Sequence, residues 1–298
     1  MNEEFKSGFV AVIGRPNVGK STLINTLIGQ KIAIMSDKPQ TTRQRILCVL
    51  NLPNAQAIFI DTPGIHKPKH KLGEYMMQAA EGSLKEVDAV LLVVDATEKR
   101  SVKIEYILER LRQAGKPVIL ALNKLDLIDK TAVLPLLEEF GAKYDFAAMV
   151  PISAQDGINL DNLLSEIRKL LPPGPKYYPD DMITDQPERL IIAELIREKI
   201  LFVTQDEIPH VIAVMVEEMT KRRNNDTYIR AEIYVERDSQ KGIIIGKRGA
   251  RLKEIAQAAR VDIEALLEGK VFLDLWVKVK RDWRNKASLL HELGLDLA

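Results

Sequence analysis

At 298 residues the chain has the length of about two domains, each able to bury a core of its own. Its 46% apolar and 29% charged residues are those of a globular chain, and a formal net charge of +1 means that any polyanion site must come from local clustering. One cysteine, Cys48, excludes an internal disulfide and reads as a buried core thiol, and no apolar run reaches the roughly 18 residues of a membrane span. The acidic start, Met1 to Lys6, leaves no room for a signal peptide before the first strand, so a cytoplasmic protein is expected.

The first strand-like run, Phe9 to Ile13, leads into Gly14-Arg15-Pro16-Asn17-Val18-Gly19-Lys20-Ser21, and a helical pattern opens at Thr22. Strand, G-x-x-x-x-G-K-[ST] loop and helix together make a phosphate cradle. Gly14 and Gly19 let the backbone turn so that successive N–H groups converge, and the helix N-terminus adds partial positive charge. Lys20 reaches the β/γ-phosphates of a nucleotide, and the Ser21 hydroxyl is a ligand for Mg²⁺.

Apolar runs then recur at Ile46 to Leu50, Ala57 to Ile60, Ala89 to Val94, Val118 to Leu122 and Met149 to Ile152, alternating with helical patterns. Such an α/β pattern predicts a mostly parallel sheet covered by helices on both faces, with its ligand at the carboxyl ends of the strands. The informative residues fall there. Asp61-Thr62-Pro63-Gly64 follows the third run: Asp61 can hold Mg²⁺ through a water, and the Gly64 N–H can touch a γ-phosphate. Asn123-Lys124-Leu125-Asp126 ends the fifth. The Asp126 carboxylate accepts from both N1–H and the 2-amino group of guanine, while Asn123 and the stem of Lys124 shape the pocket. Ser153-Ala154, after the last run, offers a backbone N–H to the guanine O6.

In this order and spacing the four stretches resemble the translation-factor-like GTPases of the P-loop class. The resemblance implies binding of GTP and GDP, and a metal-binding threonine between the first helix and the second strand. Thr41 and Thr42 both lie there; Thr42 is preferred because Thr-Arg is how bacterial members look. Lys20, Thr42, Asp61 and Gly64 then form the hydrolytic set. Ile65 stands where Ras-like members carry a water-orienting Gln, so unaided hydrolysis should be slow. Asn17 matches a position that helps bind K⁺ in several bacterial relatives, which makes K⁺ a candidate second ion; a local backbone hydrogen bond is the other reading. In the basic segment Ile65 to Lys71, Pro68 breaks the helix that His66 and His70 would need to share a metal, and a mobile second switch is expected.

After a helix at Leu160 to Leu171, Pro172-Pro173-Gly174-Pro175 and the prolines at 179 and 187 mark a boundary. This predicts a first domain over 1–171, a semi-rigid spacer over 172–187 and a second domain over 188–298. The second reads as a helix from Glu188 to Val203, strands at His210 to Glu217 and Tyr228 to Glu236, a helical region from Lys241 to about Leu267, and a strand from Val271 to Lys280. That order gives a small α+β sheet with helices on one side. Gly246-Lys247-Arg248-Gly249 joins its two middle helices. Such a turn lets an RNA backbone approach, and Lys241, Lys247, Arg248 and Arg251 supply charge while Ile243, Ile244 and Ile245 read as a groove floor. The aromatic and basic stretch Leu275 to Arg284 fits nucleic-acid contact or a solvated edge strand equally well.

The second half is similar to a KH domain with two strands ahead of its G-x-x-G. The pairing of the two halves resembles the Era family of bacterial GTPases. That resemblance implies an assembly factor for the small ribosomal subunit that binds single-stranded RNA near the 3′ end of 16S rRNA, with RNA affinity set by the nucleotide state. It also implies a cytoplasmic monomer with peripheral association with the inner face of the cell membrane. A signalling GTPase with a protein-binding second domain, or an RNA-binding protein that holds GTP structurally, are the alternatives.

Overall fold

A computed structural model describes residues 4–34, 43, 45–62, 71–98, 103–204, 208–222 and 226–295. Contacts divide it into two units, the first formed mainly from the chain before Gln186 and the second mainly from Gln186 onward.

The first runs β1 (Lys6–Ile13), α1 (Lys20–Ile28), β2 (Ile46–Leu52), β3 (Ala55–Asp61), α2 (Lys71–Glu86), β4 (Ala89–Asp95), α3 (Lys103–Ala114), β5 (Val118–Asn123), α4 (Val133–Gly141), β6 (Ala148–Pro151) and α5 (Leu160–Leu170). The six strands lie in the order β2-β3-β1-β4-β5-β6, all parallel except the β2–β3 pair. That pair is a tight hairpin, with Asn54 in the left-handed region (φ 55°) that asparagine tolerates. Because side chains alternate along a strand, each apolar run feeds two cores. Val10, Val12, Phe59, Leu91 and Val93 pack on one face, while Ala11, Ile13, Ile60, Leu92 and Val94 pack on the other. Cys48 is fully buried in the first of these, and burial pushes its thiol pKa up.

Residues 172–185, within the stretch that reads as a spacer, are bound along this sheet. Proline lacks an N–H but keeps its carbonyl: Pro172 O accepts from Ser7 N at 3.0 Å and Pro175 O from Ser7 Oγ at 2.5 Å. Buried Gln56 accepts from the N–H groups of Tyr177 and Tyr178 at 2.9 and 3.0 Å and donates to Tyr178 O at 2.8 Å. Val49 N donates to Ile183 O at 2.9 Å, and Cys48 and Thr184 form an antiparallel bridge. The outer edge of β2 is thereby covered.

The second unit runs α6 (Glu188–Val203), α7 (Ile208–Val211), β7 (Ala213–Lys221), β8 (Thr227–Val235), α8 (Asp238–Ile245), α9 (Ala250–Leu267), β9 (Val271–Val279) and α10 (Ala287–Glu292). Its sheet order is β7-β8-β9, with β7 antiparallel and β9 parallel to β8. Ile192, Ile196 and Ile200 of α6 share a core with Ile229, Ala231 and Ile233 of β8 and Ile255, Ala259 and Ile263 of α9. The strand expected from His210 starts only at Ala213. Residues 208–211 make one helical turn instead, with Pro209 in a first turn, where its missing N–H costs nothing. Trp283 is fully buried and donates from Nε1 to Val211 O at 2.8 Å, so it is a core residue and not a nucleic-acid contact. Among the described residues no helix is long and apolar enough to cross a membrane.

Candidate functional site

The cradle lies between β1 and α1. A Cβ on Gly14 would stand 2.4 Å from Val93 O, so the turn can run against β4 only without a side chain. Gly19 has φ +97°, and a Cβ there would meet Asn123 Nδ2 at 2.3 Å. Asn17 also sits in the left-handed region, at φ 66°. Arg15 forms an ion pair with Glu98. Lys20 is buried at the start of α1 and donates from Nζ to Gly14 O at 3.2 Å and Arg15 O at 3.0 Å. The ammonium thus closes its own loop. Burial holds its pKa below the ordinary value, offset in part by the Asp61 carboxylate.

Asp61, the last residue of β3, is buried, and Ser21 Oγ donates to its Oδ2 at 3.1 Å. A hydroxyl and a carboxylate at this spacing are hard oxygen donors of the kind Mg²⁺ takes alongside waters and phosphate. Among the described residues no group of three or more His, Cys, Asp or Glu could hold a metal. Thr41, Thr42, Gly64, Ile65, His66 and His70 lie outside the described residues.

On the base side, Asn123 holds two loops at once. Its Nδ2 donates to Val18 O of the cradle at 2.8 Å, and its Oδ1 accepts from Ala154 N at 2.9 Å. Asp126 is exposed at the mouth, and Ser153 Oγ donates to its Oδ1 at 2.6 Å, which fixes the carboxylate. Lys124 takes a left-handed conformation (φ 67°) and reaches Asp95 Oδ2 at 2.5 Å. Burial alone would raise the Asp95 carboxyl, but hydrogen bonds from Lys124 and Thr97 outweigh it and hold the pKa below the ordinary value. Thr26 Oγ1 donates to Ala154 O at 2.8 Å. Neither Asp95 nor Thr26 stands out in sequence reasoning. Asp95 carried a usable signal, since like Asp61 it closes an apolar strand at the ligand end of the sheet.

In the second unit, α8 ends at Gly246 (φ 72°), where a Cβ would lie 2.7 Å from Arg251 Cβ. Gly249 (φ +80°) opens α9 with nothing within 4 Å of its missing Cβ, so the turn faces open space. Arg248 between them is left-handed as well, at φ 52°. Arg251 Nη1 donates to Ile243 O at 2.6 Å and braces the turn from behind. Lys247 and Arg248 are exposed, and Lys241 is half-buried. The three isoleucines divide: Ile243 is exposed and Ile245 half-buried, but Ile244 is fully buried in the core beneath α8. Ile244 therefore supports the helix and offers no floor to a base, as the helical period dictates.

A family model described as a 50S ribosome-binding GTPase matches residues 9–124, and one described as a KH domain matches residues 207–284. The chain is similar to the crystal structure of an Era variant from Aquifex aeolicus bound to GDP·AlF4⁻, with 46% identity and a TM-score of 0.95 over 98% of this chain and 100% of that one. It is equally similar, again at 46% identity and TM-score 0.95 over 98% of this chain and 100% of the other, to Era in complex with MgGDPNP and nucleotides 1506–1542 of 16S ribosomal RNA. With a phosphate cradle tied to a guanine loop in one unit and a basic glycine turn in the other, the chain belongs to the Era family: it is a GTPase that carries a KH domain.

Proposed function

We propose that this GTPase serves assembly of the small ribosomal subunit by binding single-stranded RNA near the 3′ end of 16S rRNA at Gly246 to Gly249, with an affinity set by the bound nucleotide. The observation that carries the nucleotide half is the double hold of Asn123, which locks cradle and base loop into one receptor. Residues 14–22 surround the phosphates, Asp126 with Ser153 and Ala154 reads guanine, and Lys20 turns from its own loop carbonyls to the β/γ-phosphates. Mg²⁺ would be held by Ser21 and Thr42, and by Asp61 through a water, where it neutralises charge on the phosphates. Gly64 donates its N–H to the γ-phosphate.

The Ile65 side chain cannot hydrogen-bond to a water, so something else must order the nucleophile; Asn17 would help hold a K⁺ ion, which would supply positive charge where an arginine finger does in other GTPases. The exposed cations of the KH turn and the open space over Gly249 fit an RNA backbone. By family likeness the protein is a cytoplasmic monomer with peripheral association with the inner membrane face, and its functional divisions follow residues 1–171, 172–187 and 188–298.

One assay tests this reading. GTP turnover is followed with and without a 16S 3′-end fragment, in matched KCl and NaCl, for the native chain and for Gly246→Asp/Gly249→Asp. The RNA should accelerate the native chain in KCl and leave the double variant at its basal rate. Turnover indifferent to the RNA would contradict the RNA coupling, and equal rates in the two salts would remove the K⁺ role.

A further inference from the structure

The KH unit carries a surface that its glycine turn does not use. Across β8 and β9 the register pairs Tyr228 with Phe272, Arg230 with Asp274, Glu232 with Trp276 and Tyr234 with Lys278. The intervening residues Ile229, Ala231, Ile233 and Val277 are buried in the helix-covered core, so the paired set lines the other face of the sheet, where Glu232 and Tyr234 are themselves buried and the rest reaches solvent. There Phe272 is 55% and Trp276 56% exposed. Edge strands that face water are usually guarded by charge, and two large aromatic side chains in a row mark a surface that receives something.

The rings form an ordered platform. Tyr228 and Phe272 stack with centroids 5.9 Å apart and planes 22° apart. The Arg222 guanidinium lies over both, 5.1 and 5.0 Å from their centroids. Four residues further along β9, about 13 Å at the strand rise, Trp276 donates from Nε1 to Asp274 Oδ2 at 2.9 Å, which fixes its indole. Lys280 continues the same face, with Nζ 5.3 Å from the Tyr234 ring. At this end of β9 Lys280 N donates to the carbonyl of Val235, the last residue of β8, and the chain enters α8 three residues later.

We propose that the exposed part of this face is a second RNA surface, on which bases of the strand leaving the Gly246–Gly249 turn stack against Trp276 and Phe272, Arg222 swinging off the two rings it covers to meet a phosphate together with Lys280. Aromatic platforms of this kind accept any base, because every base has a π face. The acidic groups on and beside the face have partners: Glu232 pairs with Lys278, Glu218 stands 3.9 Å from Arg230, Asp274 accepts from Trp276 and Tyr228, and Glu217 accepts from the Tyr234 hydroxyl.

The inference rests on the RNA reading above, and the test separates the two. Affinities of the full chain are measured for a short RNA that fills only the glycine turn and for the same RNA extended by eight nucleotides. Trp276→Ala and Phe272→Ala should each lose about tenfold on the extended RNA and nothing on the short one, and Trp276→Phe should restore most of the loss. RNA should also quench the fluorescence of Trp276 more than that of buried Trp283. An extension that adds no affinity, or alanine variants that bind both RNAs like the native chain, would overturn the second surface while leaving the turn. Failure of the native chain to bind either RNA would remove both. Variants that keep both RNA affinities but no longer sediment with phosphatidylglycerol vesicles would assign the face to lipid and overturn the proposal.

Discussion

Ser153 and Asp126 form the smallest unit of the proposed guanine site. A hydroxyl 2.6 Å from one carboxylate oxygen holds the group in plane, so that it can take two hydrogen bonds from one edge of the base. Asp126→Asn puts an N–H where an acceptor is required, and GTP affinity should fall about a hundredfold or more while XTP, which offers a carbonyl at that position, gains; competition binding against ATP, GTP and XTP reads this directly. Asp95 gives the same site a pH dependence. Its folded pKa is depressed by Lys124 and Thr97, so the stability this contributes is fully present above the unfolded value near 4 and is lost as pH falls through the folded one. The melting-temperature difference between the native chain and Asp95→Asn should therefore be constant near neutrality and shrink below about pH 4. Asp126, Asn123 and Lys20 could be picked out as candidates because the chemistry expected of each is local to a motif. The bonds that orient them could not, because Asn123 to Val18 spans 105 positions and only the folded sheet brings them together.

At the scale of elements, the apolar runs of the first unit could be read directly, since β3, β4 and β5 are buried on both faces and have no polar side to confuse the pattern. The alternation in β8 was equally plain in the sequence, although only Tyr228 and Arg230 of its second face reach solvent and Glu232 and Tyr234 are buried. What could not be read were placements that depend on a neighbour: the turn of helix at 208–211, the burial of Ile244, and the binding of residues 172–185 to the sheet. The last has a measurable consequence. Gln56 is buried and makes three hydrogen bonds to Tyr177 and Tyr178, so Gln56→Leu leaves their backbone groups without partners. It should cost about 2–4 kcal/mol in urea unfolding and open 172–185 to proteolysis; a variant as stable and as resistant as the native chain would show that the segment is only resting there.

For the whole molecule, the sequence joins a GTPase unit to a KH domain. Neither activity requires the other. A GTPase with an independent RNA-binding domain would have all the geometry described for each unit, and would show no free-energy coupling between the two ligands. The claim specific to this protein is that the γ-phosphate, through residues such as Thr42 and Gly64, sets how tightly the KH turn holds its strand. The measurement is the affinity of the full chain for a 16S 3′-end RNA at one fixed salt concentration with Mg²⁺ and either GDP or a non-hydrolysable GTP analogue, since salt alone moves such affinities. The expected result is binding about tenfold tighter with the analogue, and reciprocally tighter analogue binding when RNA is present. Equal RNA affinity in the two nucleotide states would contradict it.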